Sequence, residues 1–115
     1  MRIHTYTVRM NDTDAAGRIY FADQFRIAHE TFEEYMASIG HHFGRFLTEY
    51  PFMIPIVHAE ADYRHPLFVG DVLRIELRVG RLGRTSFALD YRLFRLSDEA
   101  DVGNVQVVHA CINKE

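Results

Sequence analysis

Two hydrophobic periods divide the chain. Residues 2–10 alternate, with Tyr6, Val8 and Met10 on one side and Thr5, Thr7 and Arg9 on the other, which predicts a half-buried first strand. Asn11 to Gly17 gathers Asn, Asp and Gly, residues that favour local side-chain bonding and positive φ, and predicts a loop. From about Tyr20 the period becomes helical. Phe21, Phe25, Ala28, Phe32, Met36 and Ile39 fall on one stripe, and Asp23, Arg26, Glu30, Glu33 and Glu34 fall opposite. Gly40 stands just past the last periodic residue and serves as the stop signal.

His41 to Pro51 reads as a connection with a short helical turn around Phe43–Phe46. Beyond it the period is two. Val57, Ala59, Ala61 and Tyr63 alternate with polar residues, Val72 to Val79 follows a Gly70-Asp71 turn, and Gly80–Gly83 leads into Phe87, Leu89, Tyr91 and Leu93. A polar, glycine-containing stretch from Ser97 to Asn104 then precedes a last strand from Val105 to Ile112. The order is strand, helix, four strands. An antiparallel α+β fold, with a five-stranded sheet wrapped around one long central helix, buries both apolar faces at once.

At 115 residues the chain is expected to be a single domain, 1–115. It is 48% hydrophobic, enough for a core but a small one, so assembly into a homo-oligomer is expected. A formal charge of −3 argues against nucleic acid as a partner. The single Cys111 excludes an intrachain disulfide. No charged leader followed by an apolar run opens the sequence, and no apolar run reaches membrane-spanning length, so a cytoplasmic protein without a membrane partner is expected.

The densest chemistry lies in Asn11-Asp12-Thr13-Asp14-Ala15-Ala16-Gly17-Arg18-Ile19-Tyr20-Phe21. It sets carboxylates and a glycine turn directly before a helix start, where unpaired N–H groups and the positive dipole end lie. An acid beside such donors is the minimal equipment for hydrolysing an activated acyl group. Taken alone, Asp-Thr-Asp is also an ordinary turn and cap. The run Thr13-Asp14-x-x-Gly17-x-Ile19-Tyr20 and the aromatic helix after it resemble the 4-hydroxybenzoyl-CoA thioesterase branch of the hotdog-fold superfamily. Pro55-Ile56-Val57-His58, Gly70-Asp71, Ser86-Phe87 and Val108-His109-Ala110-Cys111 extend the likeness over nearly the whole chain. Within that branch it is most similar to the 1,4-dihydroxy-2-naphthoyl-CoA thioesterases of phylloquinone and menaquinone biosynthesis.

The resemblance implies a catalytic Asp14, a loop opened by Gly17, and an oxyanion donor in the Phe21 backbone N–H at the first helical turn. Asp12 is then a loop-stabilising neighbour. It also implies that Tyr20, Phe25, Pro55 and His58 line or position the substrate, and that Arg84, with Arg81 or with Arg64 and His65, meets coenzyme A phosphates. Arg18, Ala22 and Asp23 depart from the residues usual in that branch. Glu30 is the rival acid, but on the polar face it reads as a solvated charge or an i,i+4 partner of Arg26. His29 and His109 read as hydrogen-bonded scaffold, and Cys111 two residues beyond His109 as a small apolar residue on the same strand face. Seven histidines show no metal-ligand spacing, and neither metal nor cofactor is expected beyond the coenzyme A of the substrate.

The expected activity is hydrolysis of an aromatic acyl-CoA, with 1,4-dihydroxy-2-naphthoyl-CoA leading, by a homotetramer built as a dimer of dimers with active sites between subunits. Two alternatives stand beside it. One is a thioesterase for short or branched acyl-CoA or acyl-carrier-protein substrates; the other is a non-catalytic acyl-CoA-binding hotdog protein.

Overall fold

The long helix, α1, runs from Asp23 to Ser38 in the computed structural model, which describes residues 1–114. Gln24, Ile27, Ala28, Thr31 and Phe32 form its buried face. It ends where the chain turns on Gly40 at φ +89°, with Gly40 N–H donating to Ala37 O (3.1 Å) and His41 N–H to Met36 O (2.7 Å). That pair of bonds satisfies carbonyls a helix end otherwise orphans, and only a residue at ease with positive φ permits it. A short helix, α2 (Phe43–Thr48), follows.

Five strands form one antiparallel sheet: β1 (Arg2–Thr7), β3 (Ile56–Tyr63), β4 (Val72–Leu82), β5 (Ser86–Arg95) and β6 (Ala100–Ala110), in spatial order β1-β4-β5-β6-β3. A separate ribbon pairs β2 (Phe52–Met53) with β7 (Ile112–Asn113). Leu73, Ile75 and Leu77 of β4, Tyr91 and Leu93 of β5, and Val105 and Val107 of β6 turn inward to pack under Ile27, Ala28 and Phe32. Each large side chain so buried contributes roughly 1.5–3 kcal/mol against exposure. This is the wrapped-helix architecture that the pattern predicts.

Several expectations need correction. Met10 does not continue the first strand: it sits in a 3-10 turn over Met10–Asp12 and is 79% exposed. Phe21 and Ile39 lie outside α1, at 60% and 49% exposure, because the helix starts and stops inside the apolar stripe. The last sheet strand begins at Ala100, not Val105, after a turn that holds Glu99 at φ +56°. Ile112 belongs to the small ribbon instead.

Gly103 fixes the geometry where β3 and β6 meet. It pairs with Tyr63 across β3 and with Leu93 across β5, beside a register shift in the β5–β6 ladder. A Cβ there would stand 2.4 Å from Asp62 O and 2.9 Å from Gln24 Nε2. The first contact is backbone and cannot swing aside. Gly103→Ala is therefore expected to destabilise the fold by about 1–3 kcal/mol, as overpacking does, read as a lowered urea midpoint.

Candidate active site

The loop between β1 and α1 is a tight hairpin. Asp14 N–H donates to Arg18 O (2.9 Å) and Gly17 N–H to Asp14 O (3.0 Å), and Thr13 bridges Ile19. Gly17 takes φ +80°. Nothing lies within 4 Å of a Cβ placed there, so the glycine is required for backbone shape, not for room. Asp14 stands on this exposed tip, where its Oδ1 accepts from Ala16 N–H at 2.8 Å.

The root of the hairpin is held by Asp12, which is fully buried. Its carboxylate accepts from Tyr6 Oη (2.7 Å), from Arg9 N–H (2.9 Å) and from the Arg26 guanidinium. Its backbone carbonyl accepts from Tyr20 N–H at 2.8 Å, and Ile19 N–H donates to Leu67 O at 2.8 Å. Burial alone would raise this carboxyl, but the Arg9 amide, the Tyr6 hydroxyl and the Arg26 charge reverse that and hold it below the usual carboxylate value.

Immediately after this anchor, the Phe21 and Ala22 N–H groups donate to no acceptor among the described residues. Ala22, the N-cap of α1, supplies no capping side chain either. The Phe21 carbonyl is fixed from the opposite side by Tyr63 Oη at 2.6 Å. The expected oxyanion donor is thus free and immobilised, though it lies before the helix and not within its first turn.

A groove leads away from this point between α1 and edge strand β3. Its first part, about 380 Å³, is lined by Ala22, Phe25, His29, Ile56 and Ala59 among others. The second, about 670 Å³, shares His29 and Ile56 and continues to Phe43, Ile54 and His109. A larger hollow of about 840 Å³ lies near the β4–β5 turn, lined by Phe46, Phe52, Leu82, Arg84 and Cys111 among others, but no residue of the Asp14 loop reaches it. Ala22, whose N–H is free, lines the α1–β3 groove and makes it the candidate site; Asp14 and Phe21 are not among its lining residues.

Of the other expected residues, Tyr20 is 45% exposed with its ring centroid 4.9 Å from that of Phe21 and is not among the groove's lining residues, whereas Phe25 lines the wall. Pro55 is tied into the sheet end by its carbonyl, which accepts from Ala110 N–H at 3.0 Å. His58 pairs with Val108 and so falls on the outer face of the sheet, 3.3 Å from Glu60; the bulge between Ile56 and His58 turns Ile56 inward instead. Arg84 follows β4, whereas the Asp14 loop is tied to residues 67–71 before it. Eleven strand residues separate the two, about 36 Å at the usual rise. One protomer does not bring Asp14 and Arg84 together.

Arg26 pairs with Asp12 and Asp23, not with Glu30, whose carboxylate lies 3.9 Å from His4. Arg64 is engaged by Asp101 (3.2 Å) and Asn104 (2.6 Å). His109 is buried and turned toward α1, while Cys111 is exposed and lines the other hollow. Among the described residues no group of three His, Cys, Asp or Glu side chains gathers as a metal site would. Tyr63 was missed by sequence reasoning. Its signal was a hydroxyl ending the otherwise small, apolar face of Ala59 and Ala61.

Fold and site together define a thioesterase of the hotdog type: the chain belongs to the Thioesterase-like superfamily, whose pattern matches residues 8–115. A 1,4-dihydroxy-2-naphthoyl-CoA hydrolase from Synechococcus elongatus is 41% identical over 94% of this chain and 79% of its own. One from Gloeothece citriformis is 38% identical over 98% and 80%. Among solved structures, a 1,4-dihydroxy-2-naphthoyl-CoA thioesterase from Synechocystis superposes with TM-score 0.93 at 26% identity, covering 99% of this chain and 83% of that one. Among the described residues no helix is long and apolar enough to cross a membrane.

Because Asp12 is depressed in the folded state, its stabilisation is complete above the unfolded carboxyl value of about 3.9 and is lost as pH falls through the lower folded value. Asp12→Asn should cost roughly 1–3 kcal/mol near neutrality. The gap from wild type should narrow below pH ~4, as urea titrations across that range would show.

Proposed function

We propose that this protein hydrolyses an aromatic acyl-CoA thioester, 1,4-dihydroxy-2-naphthoyl-CoA before others, with Asp14 as the catalytic acid side chain and Phe21 N–H as the oxyanion donor. The observation that carries the reading is the Phe21 N–H: a backbone donor without a partner among the described residues, held by Tyr63 on one side and by the Asp12 anchor on the other, directly before Ala22 in the wall of a largely apolar groove. The intact Asp14–Gly17 loop and the named relatives support it.

A thioester carbonyl has little resonance stabilisation and its thiolate leaves readily, so the main demand is to stabilise the tetrahedral oxyanion. A fixed donor supplies roughly 2.7–4 kcal/mol of that. Asp14 either attacks the carbonyl carbon, giving a mixed anhydride that water then opens, or takes a proton from water as it attacks. Both routes release the acid and coenzyme A, and neither calls for a metal or redox group. The product fits phylloquinone or menaquinone biosynthesis in the cytoplasm.

The assembly is a homotetramer in this reading. β3 is an edge strand, paired only with β6, and it exposes Ile56 and Val57, so a second copy would cover both the strand and the open side of the groove. Arg84 would then meet the phosphates of a substrate whose thioester lies at a neighbouring protomer's Asp14.

Asp14→Asn keeps an oxygen for the Ala16 amide and removes the charge. Turnover of 1,4-dihydroxy-2-naphthoyl-CoA should fall by several powers of ten, about 4 kcal/mol or more at ~1.4 kcal/mol per decade, while binding persists. Hydrolysis no faster than background in both forms would instead mark an acyl-CoA-binding protein, and a preference for aliphatic esters in a substrate panel would retire the naphthoyl assignment. Tyr63→Phe frees the Phe21 carbonyl, and kcat should drop about tenfold with KM little changed, the pattern of a contact that matters in the transition state.

A further inference from the structure

We propose that His109 is a specificity-determining residue: from the floor of the α1–β3 groove its Nε2 accepts a hydrogen bond from a ring hydroxyl of the acyl group. This rests on the reading of the groove as the acyl site. The ring is 1% exposed, on the inward face of β6, and it lines the inner part of the groove with His29 and Ile56. Its Nδ1 lies 2.8 Å from the Ile54 carbonyl. A carbonyl only accepts, so Nδ1 carries the proton and Nε2 presents a bare lone pair. That Nε2 is buried and has no partner.

A buried acceptor left unpaired costs about 1–3 kcal/mol, and such atoms in native structures call for a reason. None of the immediate neighbours supplies a donor. Phe87 stacks on the His109 ring at 5.0 Å, and Phe32 packs at 5.4 Å. His29 lies 6.1 Å away, with its own Nδ1 turned to Glu33 at 3.2 Å. Burial, and secondarily the His29 charge, press the His109 imidazole toward its neutral form despite the Ile54 carbonyl, and this keeps the lone pair available.

The placement suits an aromatic acyl group. His29 stands seven residues beyond Ala22, about 10 Å along the helix, so His109 waits at the depth of a ring system whose thioester sits at the Phe21 amide. The walls between are largely apolar, with Phe25, Ile56 and Ala59, while the half-exposed Arg26 and Glu33 line the solvent side. An apolar slot with one bare acceptor at its end favours a hydroxylated ring over the same ring without the hydroxyl, because only the former satisfies Nε2.

The test compares matched esters, 1,4-dihydroxy-2-naphthoyl-CoA and 2-naphthoyl-CoA, on wild type, His109→Leu and His109→Gln. Wild type should prefer the hydroxylated ester by about tenfold to a hundredfold in kcat/KM. His109→Leu should lose that preference by slowing the hydroxylated ester alone, and His109→Gln, which offers an acceptor oxygen, should restore part of it. Equal slowing of both esters by His109→Leu would overturn the proposal while leaving the enzyme reading intact. Failure of wild type to hydrolyse either ester would sink the enzyme reading itself. Should His109→Leu not fold, nitrogen NMR of wild type decides. The Nε2 resonance should move on adding 1,4-dihydroxy-2-naphthoate and not on adding 2-naphthoate, and an unmoved resonance with both overturns the assignment.

Discussion

The Asp12 carboxylate has no exposed surface, yet it remains charged because three donors from three places in the chain close on it: Tyr6 from β1, the Arg9 amide from the turn, and Arg26 from α1. Removing one partner from such a cluster leaves the others buried without compensation, so the elements that carry them are locked to one another. The backbone of the same residue receives Tyr20 N–H, one position before the free Phe21 amide. A single buried acid thus sets where the helix begins and where its unpaired donor points. Asp14, two residues on, stands outside the lock and stays exposed on the hairpin tip. The chain separates a buried acid that holds the loop from an exposed acid at its tip, and the two differ in burial more than in sequence.

Much of the fold was legible because its signals are local. The period of two places the inward residues of β4, β5 and β6, and Gly40 marks the helix end that its positive φ and two backbone bonds make. The failures also have local causes. Phe21 belongs to the apolar stripe by spacing, but the Tyr20 bond to Asp12 ties the preceding backbone to the loop, and the helix begins only at Asp23. β6 begins five residues early because Asp101 and Asn104 are polar residues of a strand whose outer face is polar, engaged by Arg64 and Asp62. Sequence alone reads such residues as loop.

The site divides the same way. Asp14 and Gly17 declare themselves within a few residues, since a turn needs only its own neighbours. The Asp12–Arg26 pair spans 14 positions and the Tyr63–Phe21 bond 42, so each exists only after the sheet has closed around the helix. Arg26 shows the difference most sharply. Helical spacing offers it Glu30, whereas the fold gives it a desolvated carboxylate at the helix start, a stronger partner than an exposed i,i+4 neighbour worth a few tenths of a kcal/mol. His58 errs in the opposite direction: plain alternation with Ala59 and Ala61 already puts it on the outer face of the sheet, and the bulge before it turns Ile56, not His58, inward.

These corrections change how α1 is understood. A two-faced helix, apolar against polar, would place Phe25 in the core and leave Arg26, His29 and Glu33 to water. The structure has three faces. Gln24, Ile27, Ala28 and Thr31 face the sheet, Glu34 and Tyr35 face solvent, and Ala22, Phe25, His29 and Glu33 recur at three- and four-residue steps along the groove. The third face leads from the free amides past an aromatic wall to the histidine above His109. Because β3 is the sheet edge, no further strand among the described residues covers this face, and the helix that completes the core also borders an open groove. One element therefore carries the packing and a wall of the groove, and the free Phe21 and Ala22 amides stand directly before it, so the spacing of Phe25, His29 and Glu33 along the groove follows from helical rise and not from loop conformation.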